Sequence, residues 1–130
     1  MITRITGTLA ALLIMSLAAM VPAQAAPKPY DPASFAAAQK AGQSILIHVT
    51  APWCPTCKAQ KPIVEKLAAQ PEFKDLVVFE VDFDSGREAL IAFKARSQST
   101  MIAFKGDKET GRLAGDTNPA SIEALFKSTL

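Results

Sequence analysis

Hydrophobic and polar positions form blocks along the chain that predict strands and helices in turn. Two apolar runs with β-branched residues predict buried strands, SILIHVT (44–50) and DLVVFEVDFD (75–84). A third strand is predicted over TMIAF (100–104), and a short fourth over RLAG (112–115), after the turn KGDKETG. Strands that are separated by helices favour parallel pairing, whereas the last two strands favour an antiparallel hairpin.

Four other segments predict helices, which are DPASFAAAQKAG, CKAQKPIVEKLAAQ, SGREALIAFKARS and NPASIEALFKSTL. Asp31 and Asn118 can cap the first and the last helix, and Asp84 or Ser85 lies near the start of the third. Pro62 lies inside the second helix and should kink it, because proline lacks a backbone donor. The predicted order, α-β-α-β-α-β-β-α, indicates an α/β protein that is a three-layer α/β/α sandwich with a mixed central sheet.

Residues 1–25 have the pattern of a secretory signal peptide. Arg4 gives a positive start, residues 9–21 are almost wholly apolar, and Ala23-Gln24-Ala25 fits the rule for cleavage after Ala25. The apolar run is shorter than the roughly 20 residues that cross a bilayer, so cleavage is favoured over anchoring, and a buried helix is the alternative. We therefore expect residues 26–130 to form a single domain that is periplasmic or secreted.

The charges of the chain are nearly balanced. There are 14 Lys and Arg residues against 12 Asp and Glu, and segments such as KGDKETGR mix both signs. A solvated surface accounts for this pattern, and no basic stripe indicates binding of nucleic acid.

The only two cysteines, Cys54 and Cys57, stand in APWCPTCK between a predicted strand and a predicted helix. A purely structural disulfide is disfavoured. Secreted scaffolds that are held together by disulfides usually carry several cysteine pairs, and so short a loop constrains little of the unfolded chain. The first sulfur would lie at the helix N-terminus, where unpaired N–H groups and the helix dipole favour a thiolate. The second would lie one turn away, close enough to resolve a mixed disulfide. Cys54 is thus the expected nucleophile and Cys57 the resolving thiol.

At these residues the sequence resembles the thioredoxin family. WCPTCK stands where the family usually has W-C-G-P-C-K, and Pro62 matches its helix-kinking proline. STMIAFKGD and LAGDTNPASIEALF resemble its later strand and its terminal helix, so the resemblance covers nearly all of residues 26–130. It implies a thioredoxin fold and a thiol:disulfide oxidoreductase with a redox-active Cys54–Cys57 disulfide. Trp53 would either flank and shield the site or be an ordinary core aromatic.

His48 departs from the family pattern. Aligned on the cysteines, it takes the place of the buried acid that in thioredoxins relays protons to the resolving cysteine. It is the only histidine and interrupts an apolar strand, where an imidazole without a partner is costly. The expected partner is Glu80, which replaces the family's lysine on the neighbouring strand. His48 could serve as general base for Cys57, or could be a satisfied core residue with no role in exchange.

Ser99 is a further departure, at the position where thioredoxins carry a cis-proline facing the disulfide. A cis bond without proline costs about 2.5–4 kcal/mol. We therefore expect the backbone to run differently here and the Ser99 hydroxyl to point at the sulfurs. Without the proline ring, the substrate range of the family is a weaker guide to the substrates of this protein. Its absence could also expose the thiols to a soft cation.

Pro55 and Thr56 separate the cysteines and tune the redox potential. They match neither the reducing Gly-Pro nor the oxidising Pro-His pair, and a Thr56 hydroxyl bonded to the Cys54 sulfur carries no charge, so we expect an intermediate potential. The compact chain resembles the exported reducing thioredoxins, which favours a reductant of protein disulfides that a membrane electron-donor protein recharges. We expect a monomer without a cofactor, because the chemistry needs only two sulfurs.

Two functions of other classes stay open. Cys54 and Cys57 suit soft ions such as Cu(I), and His48 precedes them by six residues. A structural zinc site generally needs four protein ligands, and one chain supplies at most these three, so we assign no metal ligands. A redox-inactive chaperone or interaction domain is the other alternative.

Overall fold

The computed structural model describes residues 26–130, so the predicted signal peptide and its cleavage site lie outside the described residues. The strands are β1 (Lys28–Pro29), β2 (Ser44–Thr50), β3 (Val77–Asp82), β4 (Thr100–Lys105) and β5 (Lys108–Ala114). The helices are α1 (Pro32–Lys40), α2 (Pro55–Ala68), α3 (Arg87–Ala92) and α4 (Pro119–Lys127), with a 3₁₀ turn at Pro71–Phe73. Among the described residues, none of the helices is long and apolar enough to cross a membrane. The α/β/α sandwich with a mixed sheet is confirmed, with two short elements that the sequence pattern did not predict.

The five strands form one sheet in the order β1-β3-β2-β4-β5. Pairing is parallel for β1 with β3 and for β2 with β3, and antiparallel for β2 with β4 and for β4 with β5. The prediction of parallel pairing was therefore wrong for β4. The six-residue α3 extends only about 9 Å, less than half the length of a strand, so β4 starts at the end of the sheet where β3 finishes.

The helix ends show where local sequence determined structure. The Asp31 carboxylate accepts a hydrogen bond from the Ser34 amide at 2.8 Å, and Asn118 caps α4 in the same way, which confirms both predicted caps. Ser85 lies near the start of α3 as expected, but Gly86 occupies the N-cap, without a side-chain hydrogen bond. The Ser85 amide instead bonds to the Asp82 carboxylate at 2.8 Å, which keeps the preceding residues in a turn and shortens the helix.

Hydrophobic side chains fill both faces of the sheet. Leu46, Met101 and Phe126 belong to the layer between the sheet and helices α2 and α4, while Ile47 and Phe79 belong to the layer against α1 and α3. Successive side chains of a strand point to opposite faces. His48, two residues after Leu46, therefore faces α2, the helix that begins at the cysteines.

Candidate active site

The cysteines lie where β2 ends and α2 begins. Cys54 is the N-cap of α2 and Pro55 is its first residue, so the cap position that Ser or Asp usually fills is occupied by a sulfur. The Cys57 amide donates a hydrogen bond to Cys54 Sγ at 3.1 Å. The two residues form a disulfide with their Cα atoms 5.3 Å apart. This arrangement orients a backbone donor at the sulfur that would become a thiolate on reduction.

Both sulfurs are covered in the disulfide form. Cys54 is only 1 % exposed and Cys57 is 4 % exposed, and both pack against Ala51 and Phe83. Trp53 is 55 % exposed, and its indole N–H donates to the Asp84 carboxylate at 2.8 Å. The alternative of a core aromatic is thus wrong for Trp53, which stands on the surface beside a buried disulfide.

A cleft of about 320 Å³ reaches the disulfide at Cys57. Its walls carry four charged residues of both signs, Lys58, Lys61, Glu80 and Asp82. The cleft gives the resolving cysteine a polar route to solvent.

His48 is fully buried, and its hydrogen-bond partner differs from the expected one. The predicted His48/Glu80 pair was wrong: Glu80 lies beside His48 in the register of β2 and β3, but the imidazole Nε2 bonds to Gln60 Oε1 at 3.0 Å. Burial lowers the pKa of His48, and this effect outweighs the Gln60 hydrogen bond and the Glu80 charge, which both raise it. The interior therefore favours a neutral imidazole.

Gln60 is the site residue that the sequence analysis missed. It is fully buried and donates hydrogen bonds to the Ser99 carbonyl at 3.0 Å and to the Asp116 carbonyl at 2.8 Å. A signal was present, because Cys57, Gln60 and Val64 share the helical spacing of one buried face. A lone polar residue on such a stripe indicates a buried partner.

The Ser99 backbone does depart from a cis-proline geometry. No peptide bond within residues 26–130 is cis, and Ser99 takes a positive φ of 59°. Its amide donates to the Val49 carbonyl at 2.8 Å, and its hydroxyl donates to the Gln98 carbonyl. The expectation that this hydroxyl points at the sulfurs was wrong, since it is bonded to the neighbouring carbonyl, which is a stronger acceptor than sulfur.

Thr56 does not supply the predicted hydrogen bond either. The donor to Cys54 Sγ is the Cys57 amide, and Thr56 is half-buried in the first turn of α2. In the described part of the chain, no group of three or more His, Cys, Asp or Glu side chains is arranged to hold a metal ion. His48 is bonded to Gln60 and does not join the cysteines in such a group.

The buried His48 should make folding stability depend on pH. Its pKa is lower in the folded protein than in the unfolded chain, so the unfolded chain binds more protons below about pH 6.5. The free energy of unfolding should therefore fall between pH 7 and 5 more steeply in the wild type than in His48→Leu, by up to about 1.4 kcal/mol per pH unit. Urea titrations of the oxidised proteins measure this difference, and equal slopes would contradict it.

Comparisons with known proteins agree with this geometry. The thioredoxin family model matches residues 27–128. Thioredoxin of Chlamydia trachomatis is 37% identical over 82 residues, which are 63% of this chain and 78% of that protein. Thioredoxin-2 of Saccharomyces cerevisiae is 31% identical over 86 residues, 66% of this chain and 80% of that protein. The crystal structure of Trxlp from Edwardsiella tarda superposes with a TM-score of 0.75 at 39% identity and covers 78% of this chain and 98% of that one.

The family match, the fold and the facing cysteines at the start of α2 lead to one conclusion. The chain belongs to the thioredoxin family and is a thiol–disulfide oxidoreductase.

Proposed function

We propose that this protein is an exported reductase of protein disulfides. The observation that carries the exchange activity is the hydrogen bond from the Cys57 amide to Cys54 Sγ at the N-cap of α2, while the reducing direction rests on Pro55 and Thr56, which add no charge that stabilises the thiolate. An anion at a helix N-terminus is stabilised by unpaired N–H groups and by the helix dipole. In the reduced protein the same amide stabilises the Cys54 thiolate, which is the reactive form of the group.

Reduction of a substrate proceeds in two exchanges. The Cys54 thiolate attacks one sulfur of the substrate disulfide, so a Cys54–substrate bond forms and the other substrate sulfur leaves as a thiolate. Cys57 then loses its proton and attacks Cys54 Sγ. The Cys54–Cys57 bond forms, and the second substrate sulfur leaves with its electron pair. Two electrons have passed from the protein to the substrate.

His48 is the general base that we propose for the second exchange. It lies on the face of β2 that packs against α2, and it contacts that helix at Gln60, one turn after Cys57. Burial keeps its imidazole neutral, which is the form that accepts a proton. The alternative is that His48 is a hydrogen-bonded core residue without a role in exchange, and it predicts that replacing His48 does not affect the second exchange.

Cys54 is only 1 % exposed in the disulfide form, so a substrate disulfide meets its sulfur among the residues that surround it. The exposed Trp53 adjoins it and provides a large apolar surface for a partner protein. Recharging of the exported protein requires a membrane electron donor, and the monomer suffices for the chemistry.

The direction of electron flow has a direct test. We expect a reduction potential closer to the reducing value of about −270 mV than to the oxidising value of about −120 mV, because the residues between the cysteines add no charge that stabilises the thiolate. Equilibration with a redox buffer measures it. The wild type should also reduce insulin, and Cys54→Ser should not. A potential near −120 mV would overturn the reductant, and insulin reduction by Cys54→Ser would overturn the nucleophile.

Export has a separate test. The N-terminal 25 residues should be removed in the native host, so the protein recovered outside the cytoplasm should begin at Ala26. N-terminal sequencing of the fractionated protein measures this. An Ala25→Arg variant should accumulate at full length, because arginine does not fit the small-residue cleavage site. Recovery of an uncleaved wild-type protein from the cytoplasm would refute export.

A further inference from the structure

Gln60 occupies a position that a hydrophobic residue would ordinarily fill. It lies on the buried face of α2 between Cys57 and Val64, with none of its surface exposed. A buried amide is costly unless its polar atoms are bonded. Both ends of this amide have partners, which come from three different parts of the chain.

These partners fix the orientation of the amide. Gln60 Nε2 donates to two backbone carbonyls, those of Ser99 and Asp116. A flipped amide would place its oxygen against both carbonyl oxygens, which cannot donate. Gln60 Oε1 must therefore face His48, and an amide oxygen only accepts hydrogen bonds.

The orientation of the amide in turn fixes the proton on His48. Because Gln60 Oε1 only accepts, the imidazole Nε2 must carry a hydrogen. In the neutral ring the lone pair is then on Nδ1. Nδ1 is buried and, in the part of the chain that the structure describes, has no hydrogen-bond partner. The neutral ring thus has one donor, Nε2–H, which is bonded to Gln60, and one acceptor, Nδ1, which is free to take a proton.

Few charges face this imidazole from the elements around it. Glu80 on β3 favours the cation and Lys61 on α2 disfavours it, while β4 presents the uncharged Met101 opposite His48. Protonation of Nδ1 leaves the bond from Nε2 to Gln60 intact. The ring can therefore gain and lose a proton without rearranging its one hydrogen bond.

Gln60 also connects the imidazole to the loop in which Ser99 stands at the position of the family's proline. The Ser99 carbonyl accepts from Gln60 and from the Gly115 amide at 3.0 Å, and the Ser99 amide bonds to Val49. Ser99 has a φ of 59°, which side-chain-bearing residues rarely adopt. These bonds hold the loop in that conformation and couple it to the helix that carries the cysteines.

We infer that Gln60 is a positioning residue for the resolving step, and that it holds His48 as the Nε2–H tautomer so that Nδ1 takes the proton from Cys57. This rests on the base role proposed above for His48. In the disulfide form Nδ1 has no hydrogen-bond partner among the described residues, the Cys57 sulfur included, so the transfer takes place once reduction has freed the Cys57 side chain. The proton then leaves Cys57 Sγ for Nδ1, the Cys57 sulfur bonds to Cys54, and the bond between Cys54 and the substrate sulfur breaks with the electron pair on the substrate.

The tautomer can be observed without any variant. His48 is the only histidine, so ¹⁵N spectra of tag-free, reduced protein at pH 7.5 show a single imidazole. The chemical shifts should report a protonated Nε2 and an unprotonated Nδ1. A protonated Nδ1, or an average of both tautomers, would overturn the inference, and this result does not depend on whether any substitution folds.

Variants then test the positioning role. Reduced protein mixed with excess 5,5′-dithiobis(2-nitrobenzoate) releases one chromophore on attack by Cys54 and a second on resolution by Cys57. Gln60→Met should slow the second release about tenfold or more at pH 7 and leave the first within roughly twofold. Gln60→Glu should shift the pH profile of the second release upward, since a carboxylate favours the His48 cation. Gln43→Met, at an exposed glutamine, is the matched control and should change neither release.

A second background separates the role of Gln60 from that of His48. In His48→Ala, the added Gln60→Met substitution should slow the second release by less than about twofold, because the group it positions is absent. Additive effects would show that Gln60 acts independently of His48 and would overturn the inference. Slow resolution in His48→Ala with normal resolution in Gln60→Met overturns only the role of Gln60. Unchanged resolution in His48→Ala overturns the base role and this inference together.

Discussion

The chemistry of this protein depends on one hydrogen bond, from the Cys57 amide to the Cys54 sulfur. It exists because Cys54 is the last extended residue before α2, so that its side chain occupies the cap position and meets the first free amides of the helix. The same turn of helix brings Cys57 round to face it. A shift of the helix start by one residue would lose both the amide donor and the resolving sulfur.

The fold serves to hold that turn in place. β2 is the central strand and is buried on both faces. Because it leads into the turn before Cys54, it fixes the position at which the chain enters α2. The other side of the helix start is held by Gln60, whose amide joins α2 to β2 and to the loops around the β4–β5 hairpin. A hydrophobic residue at this position would pack as well but would leave His48 Nε2 without its hydrogen bond. The buried polar contacts therefore specify the site, while the hydrophobic layers supply the stability.

Much of this architecture could be predicted from the sequence. The strand at 44–50 and the caps at Asp31 and Asn118 follow from local pattern, because hydrophobic period and capping act over a few residues. The disulfide between Cys54 and Cys57 was implied by the resemblance to the thioredoxin family. The direction of β4 did not follow from local pattern, since it depends on how far a six-residue helix carries the chain. The hydrogen-bond partner of His48 could not be predicted from local pattern either. Glu80 is adjacent across the strands and has the complementary charge, but the ring faces α2, where the neutral Gln60 binds it.

The central claim is that the Cys54 sulfur is stabilised as an anion by the start of α2. The rate at which the reduced protein is alkylated by iodoacetamide, followed by mass spectrometry at each cysteine across a pH series, tests it most directly. Alkylation at Cys54 should reach half its maximal rate well below about pH 8.5, the ordinary value for a thiol, and should precede alkylation at Cys57. Half-maximal alkylation of Cys54 at or above that pH, or faster alkylation of Cys57, would contradict the account.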